Sequence, residues 1–310
     1  MSESSKNFFF AWVPDCDGDR GNIVINDPVR GIIYPDAQST FMLSVLSELA
    51  FVKIFFPGRF KKICVTVNDA TSLRIEKIAG FFNIPVFTAE TGEANVLGLA
   101  RIKNQHGYIV RMAGEGSNGG NITFPGLVRD PLSTVMSLLK LIFLSGRGTS
   151  LFAAAAACFN IDPLLPFNER LAAIIAACPF HTTSAFESEA LLKVRIKKYP
   201  VFKALYEKHL RERFPEFAGQ NRLFKKYEIY NYEGARERKG QGNRSGDESG
   251  GLRVILYGDQ SQKKGFLWMR GSRTEPVLRL MADIEGSRKN HDELLSFHRR
   301  LIEKSLMKQS

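Results

Sequence analysis

The chain has 310 residues, of which 44% are hydrophobic and 24% charged, with 24 Phe and a formal net charge of +11. That length suits about two domains, and the apolar content excludes global disorder. No apolar run reaches the ~18 residues of a membrane-spanning helix, so no membrane partner is expected. The run 8–13 is too short for a signal-peptide core and leads straight into acids. Cys16, Cys64, Cys158 and Cys178 are scattered, with no metal-ligand spacing, which points to a reduced, cytoplasmic protein. Residues 193–244 hold 15 Lys/Arg against 6 Asp/Glu, so nine of the eleven excess positive charges lie there. Such a segment suits nucleic acid, an anionic partner or plain solubility. Solubility is the commonest reason, and nucleic acid is not the expected partner.

In chain order, the apolar run 8–13, the acidic stretch 14–20 and the run 22–26 read as strand, loop, strand. Apolar residues at helical spacing follow over 38–53, then a strand over 61–67. Asp69 is the expected cap of a helix over 72–82. A strand at 84–88, a helix over 93–104 and strands at 107–112 and 121–124 come next. Asp130-Pro131 opens a helix to about 144, with proline in the first turn, where its missing N–H costs nothing. This alternation predicts an α/β fold, a mixed but mainly parallel sheet flanked by helices. Residues 150–224 read as helical and irregular, with helices over 168–178 and 202–214. Residues 234–251 are Gly-rich and polar and read as a loop. Strands at 252–257, 265–270 and 277–284 and a helix over 291–307 predict a small C-terminal α+β domain. The expected divisions are 1–37, 38–149, 150–224 and 225–310.

Three loops carry chemistry. In Asp15-Cys16-Asp17-Gly18-Asp19-Arg20, three carboxylates at i, i+2 and i+4 can converge on one hard cation, and Gly18 permits the bend. Mg²⁺ suits such a set, and Arg20 supplies a fork for a phosphate oxygen nearby. An EF-hand calcium loop is excluded, because Arg20 and Asn26 stand where glycine and glutamate are required. The loop 114–120 (Gly-Glu-Gly-Ser-Asn-Gly-Gly) places Glu115 and Ser117 two apart, able to bracket vicinal hydroxyls. The loop 270–276 (Arg-Gly-Ser-Arg-Thr-Glu-Pro) offers guanidinium groups, hydroxyls and successive backbone N–H groups, a ready phosphate cradle.

In this order the three loops resemble those of the α-D-phosphohexomutase superfamily, which includes phosphoglucomutases and phosphomannomutases. The metal loop of that family, Asp-x-Asp-Gly-Asp-Arg, is matched at 15–20, its sugar loop loosely at 114–120, and its phosphate loop, Arg-x-Ser-Gly-Thr-Glu-Pro, at 270–276 except for Arg273. Residues 91–96 and Arg129-Asp130 are lesser echoes. The resemblance covers about 1–145 and 225–310, and residues 1–37 correspond to the tail of the metal-loop domain. It implies a mutase that interconverts hexose 1-phosphate and hexose 6-phosphate through a phosphoserine and a bisphosphate intermediate. Asp15, Asp17 and Asp19 would hold Mg²⁺, and Arg20 would act catalytically beside the transferring group. Glu115 and Ser117 would hold sugar hydroxyls, while Arg270, Ser272 and Thr274 would grip the other phosphate. The family's phosphoserine loop has no match, and no Ser-His dipeptide occurs. A polypeptide carrying that domain is therefore an expected partner beside the hexose phosphate, and the chain alone is expected to be inactive.

Two other readings stand beside this one. A dehalogenase-type phosphatase would use Asp15 as nucleophile. A non-catalytic remnant would bind sugar phosphates or, through 193–244, nucleic acid.

Overall fold

The computed structural model describes residues 8–59, 61–184, 187–194, 196–240, 250–272 and 275–307. They form two compact units, one from residues 8–88 and 92–178, the other from 89–91 and 179–307. The helical stretch 150–224 is therefore divided between the units at 178/179.

The first unit opens with an antiparallel sheet of β1 (Phe10–Pro14), β2 (Gly21–Asp27) and β3 (Gly31–Ile33), in that order. Trp12 pairs with Ile23 and Pro14 with Gly21. A side chain on Gly21 would overlap the Trp12 indole, so the hairpin closes only over glycine. Helix α1 (Ala37–Phe55) starts at Asp36, whose carboxylate accepts from the Ser39 N–H at 2.7 Å. Phe41, Leu43, Leu46 and Leu49 are fully buried, as are Ser44, Ser47 and Glu48 between them, so α1 is covered on every side and runs through the core. It is long and apolar enough to cross a membrane, yet 78% of its apolar window is buried inside the protein.

Around α1 lie β4 (Ile63–Asn68), α2 (Arg74–Phe81), β5 (Val86–Ala89), α3 (Glu93–Gln105), β6 (Ile109–Glu115), β7 (Gly120–Thr123) and α4 (Pro131–Phe143). Their sheet has the order β5-β4-β6-β7, with β4 parallel to β6 and β6 antiparallel to β7. The fold is α/β, a mixed sheet flanked by helices. Asp130 caps α4 by accepting from the Leu132 N–H at 3.0 Å. Asp69 does not cap α2. That helix begins five residues later, behind Leu73, with no side-chain cap. The short hairpin β8 (Ser145–Gly146) and β9 (Thr149–Ser150) leads to α5 (Leu151–Ala156) and α6 (Arg170–Ala177).

The second unit is an antiparallel sheet backed by two helices. It contains β10 (Phe180–Thr182), β11 (Leu191–Lys193), α7 (Tyr199–Asn221), β12 (Lys226–Glu233), β13 (Arg236–Lys239), β14 (Leu252–Tyr257), β15 (Lys263–Gly271), β16 (Val277–Glu285) and α8 (Arg288–Leu306). The order is β10-β16-β15-β14-β12-β13, with β11 also on β16. Val254, Leu256, Leu267, Met269, Leu280 and Ala282 alternate onto one face and join Phe202, Leu210, Leu294 and Leu301 in a core. Part of the Gly-rich stretch is ordered, because Arg236–Lys239 pairs with β12. Residues 241–249 lie outside the described residues.

Candidate functional site

The β1–β2 hairpin presents residues 15–20 at its tip. Gly18 sits at φ +72°, the left-handed region that lets the chain turn back within four residues. One carboxylate oxygen each from Asp15, Asp17 and Asp19 lies within 4.8 Å of the others. The Arg20 backbone N–H donates to Asp15 Oδ1 at 3.1 Å, and its Nε donates to Asp15 Oδ2 at 2.8 Å and Asp19 Oδ1 at 3.3 Å. Desolvation pushes the Asp15 carboxyl up. The Arg20 N–H and guanidinium outweigh it and hold Asp15 below its ordinary value.

The β6–β7 hairpin supplies the second loop. Glu115 ends β6, is 3% exposed, and uses both oxygens. Oε1 accepts from the Gly92 N–H at 2.6 Å and Asn68 Nδ2 at 3.3 Å. Oε2 accepts from Arg129 Nη2 at 2.6 Å and Asn118 Nδ2 at 3.1 Å. Ser117 is half-buried and accepts from Asn68 Nδ2 at 3.0 Å. The Gly116 N–H donates to Thr71 Oγ1 at 3.1 Å, so the turn after β4 props the loop from behind. Added side chains on Gly114 and Gly116 would overlap Phe41 and Gln38, so both glycines are required by close approach.

Arg129 ties the two loops together. Nη1 donates to Asp19 Oδ2 at 3.0 Å, Nη2 to Glu115, and Nε lies 3.6 Å from Glu93 Oε2. Burial pulls the Arg129 pKa down, but Asp19, Glu115 and Glu93 more than offset it, and the guanidinium stays charged. Five carboxylates (Asp15, Asp17, Asp19, Glu93, Glu115) thus face two guanidinium groups, a surplus of three negative charges. Hard oxygen donors with uncompensated charge fit a divalent cation of the Mg²⁺ type. Cys16 is exposed and free, and all four cysteines are free thiols.

Arg129, Asn68 and Thr71 are the residues that sequence reasoning did not place in the site. Arg129 had a signal, since it directly precedes the helix cap Asp130 and the pair Arg129-Asp130 is an echo of the family pattern. Asn68 and Thr71 had none, because a turn after a strand is not distinguishable from other turns by its residues alone.

The third loop belongs to the second unit. Arg270, near the end of β15, donates Nε to Glu90 Oε1 at 3.0 Å, with Nη2 also 3.0 Å from that oxygen. Glu90 Oε2 accepts from the Gly234 N–H at 2.8 Å. Tyr199 lies against Gly271, where any added side chain would overlap its hydroxyl. Desolvation raises the Tyr199 pKa, and Arg270 opposes the rise. The Ser272 N–H donates to Val277 O at 2.9 Å, and its hydroxyl accepts from the Glu275 N–H at 3.2 Å. Arg273 and Thr274 lie outside the described residues. Arg270 and Ser272 are thus together on one turn, and Asp15, Asp17, Asp19, Arg20, Glu115 and Ser117 are together in the first unit.

No protein-family model and no curated protein matches the sequence. Solved structures match it by fold. The exocytosis-sensitive phosphoprotein pp63/parafusin of Paramecium, a phosphoglucomutase, aligns over 95% of this chain and 45% of its own, at 14% identity and TM-score 0.55. A phosphoglucomutase/phosphomannomutase family protein of Burkholderia thailandensis aligns over 96% of this chain and 46% of its own, at 20% identity and TM-score 0.52. The chain spans about half the length of these proteins and has, over that half, the fold of the α-D-phosphohexomutases.

Proposed function

We propose that this chain is the metal-, sugar- and phosphate-binding portion of a phosphohexomutase that interconverts hexose 1-phosphates and hexose 6-phosphates. The observation that carries this reading is the junction of two loops through one arginine. Arg129 binds Asp19 of the acidic loop at 3.0 Å and Glu115 of the Gly-Glu-Gly-Ser loop at 2.6 Å, which draws a cation site and a hydroxyl-binding loop together in one unit.

In this reading Asp15, Asp17 and Asp19 hold Mg²⁺, which when bound would neutralise negative charge on a transferring phosphoryl group. Arg20 exchanges part of its Asp15 and Asp19 pairing for a phosphoryl oxygen, a fork-to-anion contact that positions the group for in-line transfer. Ser117 takes a sugar hydroxyl, and Glu115 takes another by exchanging its Asn118 hydrogen bond. Arg270, Ser272 and Thr274 grip the phosphate that is not reacting. The phosphoryl group passes between a serine Oγ and the sugar O1 or O6, with one P–O bond breaking as the other forms. We assign that serine to a polypeptide segment outside these residues, since no phosphoserine-type loop is found in the chain.

The dehalogenase-type alternative is not favoured. The solved structures aligned above are phosphoglucomutase and phosphomannomutase family proteins, which supports the mutase reading over a phosphatase.

Metal binding and catalysis separate in one experiment. Calorimetric titration with Mg²⁺ is expected to show one site, weakened at least about tenfold in Asp17→Asn. A coupled assay with glucose 1-phosphate and a glucose 1,6-bisphosphate primer is expected to show no turnover from this chain alone. Equal Mg²⁺ affinity in both proteins, or a robust mutase rate from the chain by itself, contradicts the reading.

A further inference from the structure

Behind the β6–β7 loop runs a chain of hydrogen bonds whose direction is fixed from its first member. It starts at a backbone group, because the Gly116 N–H donates to Thr71 Oγ1 at 3.1 Å. A hydroxyl has one proton, and that of Thr71 goes to Asn68 Oδ1 at 2.5 Å. The Asn68 amide then donates through Nδ2 to Ser117 Oγ at 3.0 Å and to Glu115 Oε1 at 3.3 Å. The opposite amide orientation would turn the Asn68 carbonyl toward the Glu115 carboxylate, acceptor against acceptor, and would leave the Thr71 proton facing an NH₂ group.

The surroundings hold that direction. Asn68 is fully buried and Thr71 is 1% exposed. Both lie in one tight turn after β4, where the Thr71 N–H donates to Asn68 O at 3.1 Å. Buried Gln38 of α1 clamps the same turn, with Nε2 donating to Ala70 O at 2.9 Å and Oε1 accepting from the Ser72 N–H at 3.0 Å. Where water is excluded, a donor that loses its acceptor finds no substitute, so the chain keeps its sense. Ser117 stands at its outer end and is only half-buried. Its oxygen accepts from Asn68, and its own proton has no acceptor among the described residues.

We propose that Asn68 and Thr71 are positioning residues that set the Ser117 hydroxyl as a hydrogen-bond donor toward the ligand. This rests on the reading of residues 114–120 as a sugar-binding loop, and it adds which substituent that loop takes. The ligand position facing Ser117 must offer a lone pair. A sugar hydroxyl does so through its oxygen and keeps its own proton for an acceptor such as Glu115. An acetamido carbonyl does so too. A protonated amine has no lone pair, so it would meet a donor with a donor and is rejected. A site built around a buried hydrogen-bonding group discriminates strongly against a ligand that leaves that group unpaired.

The test is calorimetric titration of glucose 1-phosphate, with Mg²⁺, and of analogues in which each sugar hydroxyl in turn is replaced by hydrogen or by fluorine. Fluorine accepts a hydrogen bond weakly and cannot donate one. At one ring position the fluoro analogue is expected to bind the wild type at least about threefold more tightly than the deoxy analogue. Ser117→Ala is expected to erase that preference. Thr71→Val, which keeps the side-chain shape without the proton, is expected to erase it as well, and Thr71→Ser to retain it. A residue acting only through stability would weaken both analogues alike and leave their ratio unchanged. Equal affinity for fluoro and deoxy analogues at every position of the wild type overturns the proposal, even if Thr71→Val fails to fold. So does a preference that survives Thr71→Val. In either case, weaker glucose 1-phosphate binding by Ser117→Ala leaves the sugar-loop reading standing. Unaltered affinity in Ser117→Ala, or no binding by the wild type, overturns both.

Discussion

Arg129 shows how one side chain can organise a site. It is 14% exposed and has carboxylates on three sides, from Asp19, Glu93 and Glu115. Removing it leaves Glu115 buried with a lost donor and Asp19 with a lost counter-charge. Arg129→Ala is expected to destabilise the first unit by about 2–3 kcal/mol, below the ~3–5 kcal/mol for a fully buried pair, as read by urea unfolding. Gly120 tests the same point from the backbone, because a side chain there would overlap Arg129. Gly120→Ala is expected to weaken Mg²⁺ affinity with little loss from propensity alone, and unchanged affinity would separate Arg129 from the cation site. The convergence of the three carboxylates was legible in the sequence, because they stand two apart around a glycine that permits the turn. The β6–β7 turn that carries Glu115 was legible, but the four hydrogen-bond donors of Glu115 were not, since they come from residues 23 to 47 positions upstream as well as from Asn118 and Arg129.

Elements with a clear period and a cap could be read directly. The capped helix after Asp130 and the strands over 252–257 and 277–284 stand where expected. Strands β10 and β11, three residues each, carry too little alternation to register. Strand β12 was missed although Tyr227 and Ile229 alternate with charged Lys226 and Glu228, because the basic run around it reads as a solvated segment. Helix α1 has a further feature that periodicity does not reveal. Glu48 is buried in its middle and pairs with Arg111 of β6 and Lys140 of α4, with Ser137 Oγ donating at 2.7 Å. Desolvation pushes its carboxyl up, and Arg111 and Lys140 reverse this and hold it below the ordinary glutamate value. Its contribution is therefore complete above the unfolded pKa near 4.5 and is lost as pH falls through the lower folded value. Glu48→Gln is expected to cost about 3 kcal/mol at pH 7 and to flatten the acid limb of the first unit's stability curve. An acid limb identical to wild type would assign that pH dependence elsewhere.

At the scale of the whole molecule, the two units differ in how they respond to acid. In the second, His298 is buried between Tyr206, whose hydroxyl lies 2.8 Å from Nδ1, and the Trp268 carbonyl, 2.9 Å from Nε2. Burial pulls its pKa from 6.5 down to about 4, with the Trp268 hydrogen bond opposing. The unfolded chain therefore binds the extra proton first. Stability is full above about pH 6.5 and falls as pH drops toward 4, by on the order of 3 kcal/mol. His298→Gln is expected to remove that slope, and a slope unchanged in the variant would refute the assignment. The division at 178/179 was not legible, because helical segments on either side carry similar patterns and only their tertiary partners separate them.

The central claim is that this half-length mutase fold binds a hexose phosphate. It is tested most directly by calorimetric titration of glucose 1-phosphate, in the presence of Mg²⁺, into the wild type and Arg270→Ala. The account predicts one saturable site in the wild type and its loss, or at least a tenfold weakening, in the variant. The same affinity in both proteins, or no binding to either, would contradict it.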